Sequence, residues 1–128
     1  MDRLKAILQD LVDRSGEITA VVLATTDGFP VEFAARNSID ADRQAAVIAS
    51  LSSLATRSTE MVDIGSPEEI LITSERGRMF VYRVGSRAAL GVITAKDVTA
   101  GLVLLKIRQV LPDIAAELDR VLKGRGGV

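Results

Sequence analysis

An α+β fold, with a five-stranded and mostly antiparallel sheet sandwiched by helices, is what these 128 residues predict. Three observations predict it. Apolar residues recur at helical spacing in some segments and fall in short β-branched runs in others. Every strand-to-strand link except the one that carries a helix is of hairpin length, which antiparallel neighbours allow and parallel ones do not. Two of the strands are apolar at nearly every position, and such strands need cover on both faces. The element order is α-β-β-α-β-β-β-α.

The first helix follows from Leu4, Ile7, Leu8, Leu11 and Val12, which share one face at 3.6-residue spacing, and Ser15-Gly16 stops it. Ile18 to Ala24 is a short β-branched run and reads as a strand buried on both faces. Asp27-Gly28 then marks a hairpin, since both residue types tolerate positive φ, and Val31-Glu32-Phe33 resumes the β pattern. Pro30 has no amide to donate, so this second strand is expected at a sheet edge. Asp40 is the expected N-cap of a long helix from Ala41 to about Val62. Three strands follow at Glu69–Ser74, Met79–Val84 and Ala88–Thr94, joined by two glycine-containing connections. The last helix opens near Asp97 and carries Val103, Ile107, Val110, Leu111, Ile114, Leu118 and Val121 on one side. Pro112 is expected to kink or restart it, because proline removes one ladder bond and clashes with the preceding turn. One domain is expected over 1–122, followed by a flexible glycine-rich tail over 123–128.

Composition excludes much ordinary chemistry. Hydrophobic residues make up 48% of the chain and charged residues 26%, which is a globular balance rather than a disordered one. The 16 basic and 17 acidic residues leave a net charge of −1, without the basic excess of a nucleic-acid binder. Cysteine and histidine are absent, so disulfides, thiol nucleophiles, Cys/His metal sites and Ser-His or Cys-His catalytic pairs are excluded. The aromatic residues are Phe29, Phe33, Phe80 and Tyr82, too few to stack a run of bases. No apolar run approaches the ~20 residues of a membrane span, and the charged N-terminus lacks a signal-peptide core. A cytoplasmic protein with no membrane insertion is expected.

No catalytic motif stands out. The sequence has no G-x-x-x-x-G-K-[ST] run, and Gly124-Arg125-Gly126-Gly127 lacks the strand and helix that would aim a phosphate loop. Arg76-Gly77-Arg78 reads as a solvated turn, and Asp27 and Gly28 as structural turn residues. Glu68-Glu69 and the group Asp113, Glu117 and Asp119 lack a glycine-hinged oxygen cluster for calcium and a partner for acid–base work. The expectation is no enzyme, no cofactor and no metal.

The second helix is the informative element. Val47, Ile48, Leu51, Leu54, Met61 and Val62 make a bulky apolar stripe, and Ala45, Ala49, Ser52, Thr56 and Thr59 make a small-residue stripe beside it. Together they exceed the ~100° that burial against one layer requires. The reading is that the bulky stripe packs on the sheet while the small stripe lets a second helix approach closely. The following strand, Ile70-Leu71-Ile72-Thr73, has no proline or lysine to protect it as an edge. Both features point to a homodimer through Ala45, Ala49, Ser52, Thr56, Thr59, Ile70, Leu71, Ile72 and Thr73.

The whole pattern resembles the Roadblock/dynein light chain family, in its bacterial small-GTPase-partner form. The matching residues are Val21-Val22-Leu23 leading to Asp27-Gly28-Phe29-Pro30-Val31, then Asp40, Gln44-Ala45-Ala46 and the Ser/Ala-rich helix. Gly65, Ile70-Leu71-Ile72, Gly77 with Met79-Phe80-Val81, and Ala89-Leu90-Gly91-Val92 complete the likeness. The resemblance implies the second helix on one face of the sheet, the other two on the opposite face, and a sheet continued across a dimer. It also implies a regulatory or scaffold role toward a small Ras-like GTPase, with stimulated GTP hydrolysis as one form of it. On the helical wheel, the side outside the apolar arc supplies the expected GTPase contacts: Asp42, Arg43, Ala46, Ser50, Ser53 and Arg57. A small-molecule sensory domain and a structural dimerisation module in a signalling or motor complex stay open as alternatives.

Overall fold

The computed structural model describes residues 2–126, with side chains through Lys123. The elements are α1 (Asp2–Arg14), β1 (Ile18–Thr25), β2 (Pro30–Ala35), α2 (Ala41–Met61), β3 (Ile70–Thr73), β4 (Arg78–Val84), β5 (Ala88–Thr94) and α3 (Ala100–Gly126). Their order is the expected one, and the five strands form one antiparallel sheet in the order β2-β1-β5-β4-β3. β1 and β5 are interior and nearly continuous in burial, because each is covered on both faces.

Local chemistry sets several boundaries. The Asp40 side chain accepts the Arg43 amide at 3.1 Å and so caps α2. Pro30 opens the edge strand β2, where its missing N–H costs no ladder bond. The β1–β2 connection is longer than a two-residue turn. Thr25 N–H donates to the Phe29 carbonyl at 2.8 Å, and Gly28 alone in this loop takes positive φ, at 93°. At the other end α3 passes through Pro112 without a break, so the expected restart does not occur. Packing of Ile107, Ile114 and Leu118 on the sheet offsets the lost ladder bond. The helix also continues through 123–126 of the expected tail, while 127–128 lie outside the described residues.

Two apolar layers flank the sheet. α1 and α3 cover one face with Leu4, Leu8, Val12, Phe80, Leu90 and Ile107 among the buried side chains. α2 covers the other face over a smaller cluster: Val22, Ala24, Ala45, Ile48, Val81 and Ala89. Gly91 of β5 makes that approach possible, because a Cβ there would overlap the Cδ1 and Cγ1 atoms of Ile48. No helix among the described residues is long and apolar enough to cross a membrane.

Candidate interaction surface

α2 is rotated on the sheet relative to the expected orientation: Ile48 and Leu51 of the bulky stripe pack there as expected, and the rest of that stripe does not. Ala45 and Ala49 are 0% and 8% exposed and face the sheet with Ile48. Val47, Leu54 and Met61, assigned above to the sheet, are 42%, 61% and 84% exposed. The physical reason is the floor beneath the helix. It is built from small side chains and Gly91, so alanines and one isoleucine fill it, and a row of leucines would hold the helix away. Ala45 and Ala49 are therefore withdrawn from any interface between copies. Ser52, Thr56 and Thr59 are half-buried at the edge of the same face, and Thr56 donates its hydroxyl to the Ser52 carbonyl at 2.9 Å.

The outward surface of α2 follows from that rotation. Asp42, Arg43, Ala46, Ser50, Ser53 and Arg57 occupy one continuous outward arc of the helix, where Arg43, Ala46, Ser50, Ser53 and Arg57 are exposed. Beside them Val47, Leu54 and Met61, seven residues apart, form an exposed apolar line, with Val47 bordering the groove toward β3 and Leu54 the depression beside Asp27 and Gly28. That spacing is visible in the sequence as a seam, but the broader apolar stripe around it hides it. Arg43 lies 3.8 Å from Asp40 in an exposed pair, which contributes little.

α2 has two unlike flanks. Toward β3 runs a groove of about 500 Å³ lined by Val47, Leu51, Ile72, Met79 and Ile93, with Arg76, Gly77 and Arg78 of the hairpin at its end. β3 is an edge strand, so the amides and carbonyls of Ile70–Thr73 on its outer side have no neighbouring strand among the described residues. Leu71 and Ile72 are exposed there. Toward the β1–β2 and β4–β5 turns the flank is polar. A cleft of about 220 Å³ there is lined by Ser52, Ser53, Thr56, Arg57, Arg83 and Ser86, and continues past Arg57 into a second depression beside Asp27 and Gly28. Sequence reasoning missed Arg83. The signal was its place on β4, where Met79, Val81 and Arg83 share a face and only the last is charged.

Two ionic clusters lie outside these flanks. Arg108 of α3 donates to both carboxylate oxygens of Glu69, at 3.0 and 3.2 Å, and ties α3 to the chain entering β3. Beneath that pair the Tyr82 phenol is buried without a hydrogen-bond partner among the described residues, and burial, reinforced by the Glu69 charge, pushes it well above its ordinary range. Glu117 of α3 pairs with Arg120 and lies 3.3 Å from Arg3 of α1, and its Arg120 hydrogen bond holds its carboxyl below the usual range. Among the described residues no group of three or more acidic side chains is placed to hold a metal ion.

Residues 4–94 match the family model described as Roadblock/LC7 domain. A Roadblock/LC7 domain structure from Streptomyces avermitilis superposes with a TM-score of 0.82 at 22% identity, covering 89% of this chain and 96% of that one. MglB from Myxococcus xanthus gives 0.80 at 20% identity, covering 95% and 96%. The gliding protein MglB from Thermus thermophilus gives 0.78 at 19% identity, covering 91% and 90%. No curated protein sequence matches the chain.

Proposed function

This chain belongs to the Roadblock/LC7 domain family, and from that premise we propose that it is a non-enzymatic regulatory or scaffold partner of a small Ras-like GTPase and acts as a homodimer. The observation that carries the reading is the outward arc of α2. Asp42, Arg43, Ala46, Ser50, Ser53 and Arg57 stand together on one helix, with charges of both signs, on the side that the helical wheel left outside the apolar arc. Such mixed charge favours specificity and encounter rate over raw affinity.

The same reading makes the β3 side of α2 the dimer contact. Val47, Leu54 and Met61 replace Ala45 and Ala49 in it, and β3 joins its copy through Ile70, Leu71, Ile72 and Thr73. A two-fold interface needs one self-complementary patch, and the groove and the open strand edge adjoin. Ser52, Thr56 and Thr59 stay at its margin. MglB has also been solved in a tetrameric arrangement, which supports self-association as a property of this fold. Any stimulation of hydrolysis is expected from holding the GTPase's own switch loops, with Arg43 or Arg57 the candidates if a charge is supplied from this chain.

The test is titration of the small GTPase encoded nearest this gene with wild type and with an Arg43→Ala, Arg57→Ala double variant. Sedimentation of both, and of Leu54→Glu, is run alongside. The expected result is a dimeric wild type, a dimeric double variant that binds at least about tenfold more weakly, and a monomeric Leu54→Glu. A double variant that binds as tightly as wild type overturns the proposed face. A monomeric wild type at micromolar concentration overturns the dimer.

A further inference from the structure

Two arginines without an ionic or carbonyl partner among the described residues share one cleft in this nearly neutral molecule. Arg3, Arg14, Arg43, Arg108 and Arg120 each lie within 4.0 Å of a carboxylate, and Arg36 and Arg78 donate to backbone carbonyls. Arg57, Arg76, Arg83 and Arg87 have neither kind of partner among the described residues. Two of these four, Arg57 from α2 and Arg83 from β4, line the same 220 Å³ cleft, while Arg87 borders a cavity with Asp119 of α3 and Arg76 the groove beside Val47. Among the described residues no carboxylate lines that cleft, and Asp27 borders the adjoining depression that Arg57 also lines. Glu68 and Glu69 border a separate, filled gap on the far side of Arg83, and neither comes within 4.0 Å of it.

The remaining walls are suited to an oxyanion. Ser52, Ser53 and Ser86 present hydroxyls, and the base is formed by the small side chains of Ala88 and Ala89, so that a ligand can settle between the two guanidiniums. The cleft itself is below the ~300–1,000 Å³ of pockets that enclose a whole small molecule and so fits one charged group. The adjoining depression past Arg57 leaves room for the remainder of a small monoester. Two like charges facing one depression repel each other, and a dianion relieves both at once where a single carboxylate would neutralise one. Guanidinium forks also match the tetrahedral oxygens of phosphate with paired N–H donors.

We propose that the cleft between α2 and the β4–β5 turn is a phosphate site, held by Arg57 and Arg83 with Ser53 and Ser86, and that it takes a phosphate dianion either free or as a small monoester. The site lies on the flank of α2 opposite the groove lined by Val47 and Leu51, at the β4–β5 turn. It does not depend on the GTPase reading, and its test uses the purified chain alone.

The experiment is an amide chemical-shift titration of the full chain with inorganic phosphate and separately with O-phosphoserine, at constant ionic strength. Sodium chloride and acetate are titrated as controls. The expected result is saturable shifts at residues 52–57 and 83–88 with both phosphates, and at least about tenfold weaker binding in Arg83→Gln. Free phosphate binding as tightly as phosphoserine assigns the site to the ion itself, and clear preference for phosphoserine assigns it to a monoester. Ser86→Asp, on an exposed turn, places a carboxylate beside the guanidiniums and is expected to abolish the shifts while the rest of the spectrum is unchanged. Shifts reproduced by chloride, acetate binding equal to phosphate, or binding unaffected by both Arg83→Gln and Ser86→Asp each overturn the proposal.

Discussion

The two faces of the sheet are built to different standards. The face under α1 and α3 is thick, with Phe80, Leu4, Leu8, Leu90, Ile107 and Ile114 fully buried and interdigitated. The face under α2 is thin, a floor of alanines, valines and Gly91 on which one isoleucine is the largest fully buried side chain of the helix. Other bulky residues of α2, Val47, Leu54 and Met61, stand on the outside. A helix that only needed to fold would bury Val47, Leu54 and Met61. The difference teaches that the first face holds the larger core, while the second holds a helix close and low and leaves three of its large side chains exposed.

The largest effect that would break this comparison is a truncation on the thick face. Phe80→Ala removes a side chain with no exposure and is expected to cost about 3–5 kcal/mol by chemical denaturation. Ile48→Ala, the equivalent on the thin face, is expected near the low end of the ~2–5 kcal/mol range for such truncations. If Ile48→Ala costs as much as Phe80→Ala, the two faces are not different in kind.

A smaller effect tests how closely α2 must sit. Gly91→Val places carbon where the Ile48 side chain is, so it is expected to destabilise by about 1–3 kcal/mol. Combining it with Ile48→Ala is expected to recover part of that loss, since the two share one space. Simple additivity in a double-mutant cycle would show that Gly91 does not set the height of the helix.

The smallest effect concerns the ionic staple that joins α1 to α3 on the thick face. Glu117 has a folded-state pKa held below its ordinary value, chiefly by the hydrogen bond from Arg120, with Arg3 adding to it. Its contribution is therefore fully present above the ordinary carboxylate pKa and is lost as pH falls through the lowered folded value. Glu117→Gln is expected to flatten that acid limb in a series of urea midpoints, with little change at neutral pH relative to the core variants. An unchanged acid limb would show that the staple adds no stability.

Much of the fold is legible in the sequence because its signals are local. The Asp40 cap, the Pro30 edge, the doubly buried β1 and β5, and the unprotected β3 each declare themselves within a few residues. The continuity of α3 through Pro112 is not legible, because packing along the whole helix outweighs the local preference for a break. The outward arc of α2, from Asp42 to Arg57, is legible as a set of solvent-facing residues, since polarity alone marks it.

The sequence by itself determined the elements, their order, the antiparallel sheet and the outward polar arc of α2, all of which follow from periodicity and capping within single segments. Tertiary structure alone decided which part of the wide apolar arc of α2 meets the sheet. A helical wheel gives the angles between residues but no absolute direction. That direction is set by Gly91 and Ala89, far along the chain, whose missing bulk admits Ala45, Ile48 and Ala49. The same long-range packing places Arg83 and Arg57 on the lining of one cleft. Neither arginine is conspicuous alone, and only the sheet beneath α2 brings them to it.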